Sequence, residues 1–284
     1  MTYPNLRQSI WLVVLFWVTQ SVLGLIIYIV QTILGESFRH ENLLTGVLTL
    51  VVYYLFLRYV FRRTDRTWKD LSQMVNTDFD WRVWPCVAIS IVGLGMVLLE
   101  LDKVVIRLIP MTDFIQDIFN SEFGRKTSYS SAVFRAVFVA PSVEELLYRG
   151  TIFTGLLAHK TRNRAIFWSA FLFGVGHLNP WQFPPALLYG FVFAWWYIRT
   201  GSLWPALVGH ALNNFIAVTT LHFEIPYFEV AEDFNVVVFN PWWWTGAGMI
   251  LAALGLWWFY VVSKDSQSTA PDAIETGYMP GDGS

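Results

Sequence analysis

Charge is what this 284-residue chain has least of: Asp, Glu, Lys and Arg make up 14% of it, against 55% hydrophobic residues. Soluble domains carry about a quarter of their residues as charges, so a chain this poor in them, with a mean hydropathy of +0.46, belongs in a membrane. Cysteine is scarcer still. The single Cys86 excludes an intramolecular disulfide, and in its apolar run it reads as a small buried hydrophobe. Internal repeats and nucleic-acid modules are absent, and a net charge of -2 says little about partners. Aromatic residues are plentiful, at 18% with 15 Trp, which fits belts of amphipathic rings at headgroup level.

Crossing ~30 Å of hydrocarbon takes roughly 20 helical residues at about 1.5 Å each. Eight segments answer to that, at 9–34, 43–61, 83–101, 131–158, 165–178, 184–198, 203–220 and 242–263. They predict an all-α, polytopic transmembrane helix bundle with one membrane domain over 1–263. The apolar stretch from Ser9 to Leu34 is longer than a signal-peptide core and stays as the first span. Asn179-Pro180 and Pro184-Pro185 interrupt the short fifth and sixth spans, whose ends need cover from protein or a cavity. Most of the 19 basic residues, Arg58, Arg62, Arg63, Lys160, Arg162 and Arg164 among them, fall on one side if both termini are cytoplasmic. The expected setting is a prokaryotic plasma membrane, N-in and C-in. The 102–130 connector carries Phe114, Ile115, Ile118 and Phe119 at helical spacing, predicting a short amphipathic interfacial helix. The 221–241 connector, with Glu224, Glu229, Glu232 and Asp233, reads as a solvated loop, and the polar tail 264–284 as disordered. In the last span Gly248-x-x-x-Ala252 predicts a close helix contact, internal in preference to dimeric.

Ionisable groups at membrane depth are costly and usually face a bundle interior. The fourth span holds Glu144-Glu145-Leu146-Leu147-Tyr148-Arg149. Adjacent helical residues point about 100° apart, so the two carboxylates diverge: Glu145 can pair with Arg149 four residues on, leaving Glu144 free to face elsewhere. Phe173-x-x-x-His177 in the fifth span and His210-x-x-x-Asn214 in the seventh repeat that four-residue spacing. Counting from Lys160, Arg164 and Arg199, the residues Glu144, His177 and His210 lie within about two helical turns of one depth. A lone membrane histidine is ordinarily an interhelical hydrogen bonder; three polar centres at one depth point to a site. His40, His159 and His222 fall at span ends or in loops and read as polar surface.

Hydrolysis of a peptide bond needs an activated water and donors for the developing oxyanion. Glu144 with His177 suits the first task, and His210 with Asn214 the second. Glu145, Arg149 and Phe173 then support these groups, with a purely structural Glu145–Arg149 pair as the plainer reading. One carboxylate and two imidazoles, Glu144, His177 and His210, also suit a divalent metal such as zinc with an open fourth position. Spacing does not decide between metal-assisted and metal-free water activation. Other signatures of membrane proteolysis, H-E-x-x-H and membrane-buried G-x-G-D or G-x-S-x-G, are missing.

The ordered set Glu144-Glu145-x-x-x-Arg149, Phe173-x-x-x-His177 and His210-x-x-x-Asn214 resembles the three motifs of the CAAX prenyl-protein and bacteriocin-processing protease family, CPBP or Abi. The resemblance covers about 127–220, including Ala140-Pro141 and Thr200-Gly201-Ser202-Leu203-Trp204-Pro205-Ala206. It departs at Tyr148, where the family often has Phe. It implies an all-helical membrane fold of about eight spans, a cavity between the fourth, fifth and seventh spans open toward the cytoplasm, and Glu144 and His177 as the water-activating pair. It further implies His210 and Asn214 as oxyanion donors or further ligands. The family carries the metalloprotease label partly by analogy, and its members act on prenylated C-termini or in bacteriocin maturation and immunity, so the substrate does not transfer. Two other classes stand beside this one: a transporter or channel using the same intramembrane charges, and a catalytically idle immunity or scaffold protein of the same fold.

Overall fold

A computed structural model describes residues 3–34, 43–64, 67–122, 128–223, 225 and 235–263. The polar tail 264–284, the acidic residues Glu224, Glu229, Glu232 and Asp233, the loop residue His40, and the basic Arg39, Arg66, Arg125, Lys126 and Lys264 lie outside them. The described residues are helices joined by short connections, with no strand among them: α1 (Leu6–Leu34), α2 (Leu43–Arg63), α3 (Trp68–Met74), α4 (Val83–Leu108), α5 (Asp113–Glu122), α6 over 129–157, α7 (Arg162–Val175), α8 (Phe183–Thr200), α9 (Trp204–Phe223) and α10 (Trp242–Val262). Each of the eight expected segments coincides with a helix. Three stretches are long and apolar enough to cross a membrane, namely Leu6–Val30, Val83–Leu108 and Trp242–Val262.

α4 runs past its expected end at 101, because its charges neutralise each other. Lys103 is buried, but its ammonium lies 2.8 Å from Glu100 one turn earlier, and Val104, Val105 and Ile106 continue the apolar helix. Glu100 also accepts from the backbone and side-chain amides of Asn240, at 3.2 and 2.8 Å, holding the entry to α10 against α4. Along that seam both helices present small residues. A Cβ on Gly93 would overlap the backbone of Ala252, one on Gly248 would come within 2.8 Å of Met96 Cβ, and one on Gly255 within 2.6 Å of Ser90. The Gly248-x-x-x-Ala252 pattern is therefore an internal contact. Cys86, fully buried near the start of α4, donates its thiol to the Arg82 carbonyl at 3.0 Å.

The short α3 has no counterpart among the expected elements, although Thr67-x-x-Asp70 is a capping box: Thr67 accepts from the Asp70 amide while Asp70 reaches back to the Thr67 amide. Its far end anchors α9, since Leu203 N–H donates to the Met74 carbonyl at 2.7 Å and Trp204 Nε1 to that of Val75 at 2.9 Å. In α5, Ile115 packs on the Ile106, Met111 and Trp181 cluster, while Phe114, expected on the same apolar side, is exposed.

α6 is wound unevenly. Phe134–Val139 and Leu146–Phe153 adopt the wider π-helical spacing, on either side of a regular stretch, Ala140–Glu145. Such π segments are rare and concentrate at functional sites. Around α6, the residues Val143, Leu147, Tyr148, Ile152 and Phe153 share a core with Leu12, Val13 and Phe16 of α1, Phe56 and Val60 of α2, and Leu172 and Phe173 of α7.

Candidate active site

The regular stretch of α6 ends on the two adjacent glutamates, and their divergence is visible in their surroundings: Glu145 is fully buried, whereas Glu144 keeps 18% of its side chain exposed. Glu145 Oε1 accepts two hydrogen bonds, from Arg149 Nη1 at 3.1 Å and from His210 Nδ1 at 2.9 Å. The first is the four-residue pair expected from spacing. The second joins α6 to α9 and makes Glu145 the partner of His210 as well as of Arg149.

Arg149 has no exposure and needs every favourable contact it has. Its Nη2 donates to the Gly190 carbonyl of α8 at 3.4 Å, and its guanidinium carbon lies 4.2 Å from the ring centre of Phe173 and 5.3 Å from that of Phe193. A desolvated cation over an aromatic face gains about 2 kcal/mol. The His210 ring meets the same two phenylalanines, edge-on to Phe173 at 5.6 Å and stacked on Phe193 at 5.7 Å. Glu145, Arg149, His210, Phe173 and Phe193 thus form one block drawn from four helices.

Because a carboxylate only accepts, the Glu145 contact places a proton on His210 Nδ1. His210 Nε2 then faces Glu144, 4.0 Å from its Oε2. In the neutral ring Nε2 is an acceptor; it becomes a donor, as an oxyanion requires, only when the ring is doubly protonated.

His177 was expected inside the fifth span, but α7 ends at Val175 and the histidine sits in the turn beyond it. The last turn tightens, with His177 N–H bonding the Gly174 carbonyl at 3.2 Å. That frees the Phe173 carbonyl, which His177 Nδ1 occupies at 2.9 Å. A carbonyl, too, only accepts, so Nε2 is the nitrogen with the free lone pair. The Phe173 ring joins the two histidines, its centre 5.1 Å from that of His177 and 5.6 Å from that of His210.

Asn214 departs from its expected orientation. Its Nδ2 donates to the Ala136 carbonyl of α6 at 2.8 Å, and its Oδ1 accepts from Asn213 at 3.3 Å. The reason lies in the π winding. In that stretch a carbonyl bonds the N–H five residues on, as Arg135 does with Ala140; for Ala136 the fifth residue is Pro141, which has no N–H. Asn214 supplies the missing donor and ties α9 to α6 just ahead of the glutamates.

Sequence reasoning passed over Phe193, Gly190, Tyr148 and Trp17. Tyr148 packs edge-on against Phe173 at 5.1 Å, and its hydroxyl fills the space a Cβ on Gly176 would need. Trp17 Nε1 donates to the Gly176 carbonyl at 2.9 Å. Nothing in an apolar run distinguishes these residues from ordinary packing. As for a metal, no three His, Cys, Asp or Glu side chains among the described residues are grouped so as to hold an ion. With Nδ1 of His210 on Glu145 and Nδ1 of His177 on the Phe173 carbonyl, Nε2 is in each ring the nitrogen that could ligate one.

Comparison with known proteins places this block in context. Residues 126–216 match the family model described as type II CAAX prenyl endopeptidase Rce1-like. The chain is also similar to the uncharacterized protein YyaK of Bacillus subtilis (strain 168), 25% identical over 262 residues, with 82% of each chain covered. No solved structure matches the chain.

Proposed function

From the premise that this membrane chain carries a type II CAAX prenyl endopeptidase Rce1-like domain at 126–216, we propose that it is an intramembrane endopeptidase that hydrolyses a peptide bond of a membrane-associated substrate. The observation that carries the reading is the placement of His210 between two carboxylates, bonded to the buried Glu145 and facing the partly exposed Glu144. A structural ion pair needs only Glu145 and Arg149. A second carboxylate beside the same imidazole, with His177 packed on the same Phe173 ring as His210, is an arrangement suited to moving protons.

In this mechanism Glu144 and His177 Nε2 hold the attacking water, and Glu144 accepts its proton as the new C–O bond forms. His210, doubly protonated and steadied by Glu145, donates from Nε2 to the oxyanion. The proton held by Glu144 passes to the departing amine as the C–N bond breaks. No step is routed through a metal. Asn214 acts at one remove, by fixing α9 to α6. About eight crossings, with both termini cytoplasmic, complete the proposed setting.

The test is cleavage of membrane-associated peptides by the purified chain in lipid. Glu144→Ala is expected to lower kcat by at least about 10²-fold, the low end for a general base, with the melting temperature retained because Glu144 is not part of the buried block. Undiminished cleavage by a folded Glu144→Ala protein would sink the mechanism.

A further inference from the structure

We propose that Trp17 of α1, more than a hundred residues outside the family-matched region, is a positioning residue for His177; this rests on the hydrolytic reading above. The last carbonyls of a helix have no partner within it. At the end of α7 those of Leu172, Gly174 and Val175 are taken by the N–H groups of Gly176, His177 and Leu178, at 2.8, 3.2 and 3.0 Å, and that of Phe173 by the His177 ring. The Gly176 carbonyl, immediately before His177, is taken by the Trp17 indole N–H at 2.9 Å.

The turn so pinned is under constraint from both sides. Gly176 has no room for a side chain, since a Cβ would overlap the Tyr148 hydroxyl. Leu178, immediately after the histidine, has φ of 55°. That left-handed conformation suits glycine and disfavours leucine, and such strain persists only where the surroundings hold it, most often at active sites. His177 is therefore flanked by a residue at which the Tyr148 hydroxyl leaves no space for a side chain and a residue held in an unfavourable conformation, with one indole bond clamping the peptide between α7 and the ring. Trp17 keeps the His177 Nδ1–H on the Phe173 carbonyl and the Nε2 lone pair turned to the water. Without that bond the Gly176–His177 peptide keeps only the long 3.2 Å bond from the His177 N–H to the Gly174 carbonyl; it tilts, Leu178 relaxes, and the ring exchanges between tautomers.

Two readouts on the full-length chain in detergent or lipid test this. In Trp17→Phe, kcat is expected to fall by about 10²-fold, the scale for displacing a catalytic group by ~1 Å, with KM unchanged. In histidine-15N NMR of the resting protein, the His177 signals, assigned by their loss in His177→Asn, should report the single Nδ1–H tautomer, and a mixture of tautomers in Trp17→Phe. If Trp17→Phe does not fold, benzothienylalanine at position 17, which has sulfur in place of the N–H in the same shape, is read the same way. An unchanged His177 tautomer overturns the proposal, whatever happens to kcat, and so does an unchanged kcat in an active enzyme. If no variant, wild type included, cleaves any peptide, the proteolytic reading fails by itself, and the NMR comparison still decides whether Trp17 positions His177.

Discussion

Glu145→Gln tests the buried block most directly. The substitution keeps the size of the side chain and one oxygen acceptor but removes the charge that faces Arg149 at 3.1 Å, where both side chains have no exposure. Breaking a buried ion pair on one side costs about 3–5 kcal/mol, because the remaining charge has lost its counter-ion without regaining water. Here the Gly190 carbonyl and two aromatic faces still hold the guanidinium, and the Gln oxygen can serve either Arg149 or His210, so the low end, about 3 kcal/mol, applies. At roughly 2–4 °C per kcal/mol for a chain of this size, the apparent melting temperature in detergent should fall by about 6–12 °C. The double variant Glu145→Gln/Arg149→Met removes the stranded cation and should recover at least about 1 kcal/mol of the loss, a non-additivity expected of directly paired groups. A fall of less than about 2 °C in the single variant, or strict additivity in the double, would refute the assignment of Glu145 as the counter-ion of Arg149.

Two further outcomes concern the helix joints. Asn214→Ala leaves the Ala136 carbonyl without a donor and is expected to cost about 1–3 kcal/mol. Pro141→Ala restores the N–H that the π winding lacks, so in that background Asn214→Ala should cost visibly less in the same thermal melts; equal losses would show that the π geometry is not what Asn214 serves. Gly93→Leu drives a side chain into the Ala252 backbone, and overpacking of about 1–3 kcal/mol or outright separation of α4 from α10 should follow. An apparent melting temperature in detergent left unchanged by Gly93→Leu would contradict the close seam.

The contacts legible in the sequence were those fixed by helical period alone. Glu145 and Arg149 are four apart on one helix, so their bond follows from geometry that any α-helix shares. The positions of the helices were legible too, because apolar runs broken by Asn, Pro and charge mark them. What was not legible depends on how helices meet. That His210 bonds Glu145 is a consequence of the approach of α9 to α6, about 65 residues away along the chain. The engagement of Asn214 depends on α6 winding as a π-helix up to Val139, just before Pro141, which spacing arguments built on 3.6 residues per turn cannot supply. His177 was placed inside a helix because its run is apolar up to that residue, whereas the two glycines at 174 and 176 and the tightening of the last turn end α7 two residues earlier. Tyr148, singled out in the sequence only as a departure from the family pattern, packs on Phe173 and beside Gly176, the residue before His177. Each of the eight segments falls on a helix, and among the described residues three helices have the length and apolarity to cross a membrane.

The seam between α4 and α10 gives the family-matched stretch a different boundary in space from the one it has along the chain. Gly93 and Gly248 stand on either side of 126–216 in sequence and against each other in three dimensions, so that stretch hangs inside a closed loop whose clasp lies outside it. α4 also packs on α8 and α9, and Trp17 reaches in from α1. The unit of architecture is larger than the portion recognisable by its motifs, and a fragment cut at the motif borders would lose the walls that give its polar residues an interior.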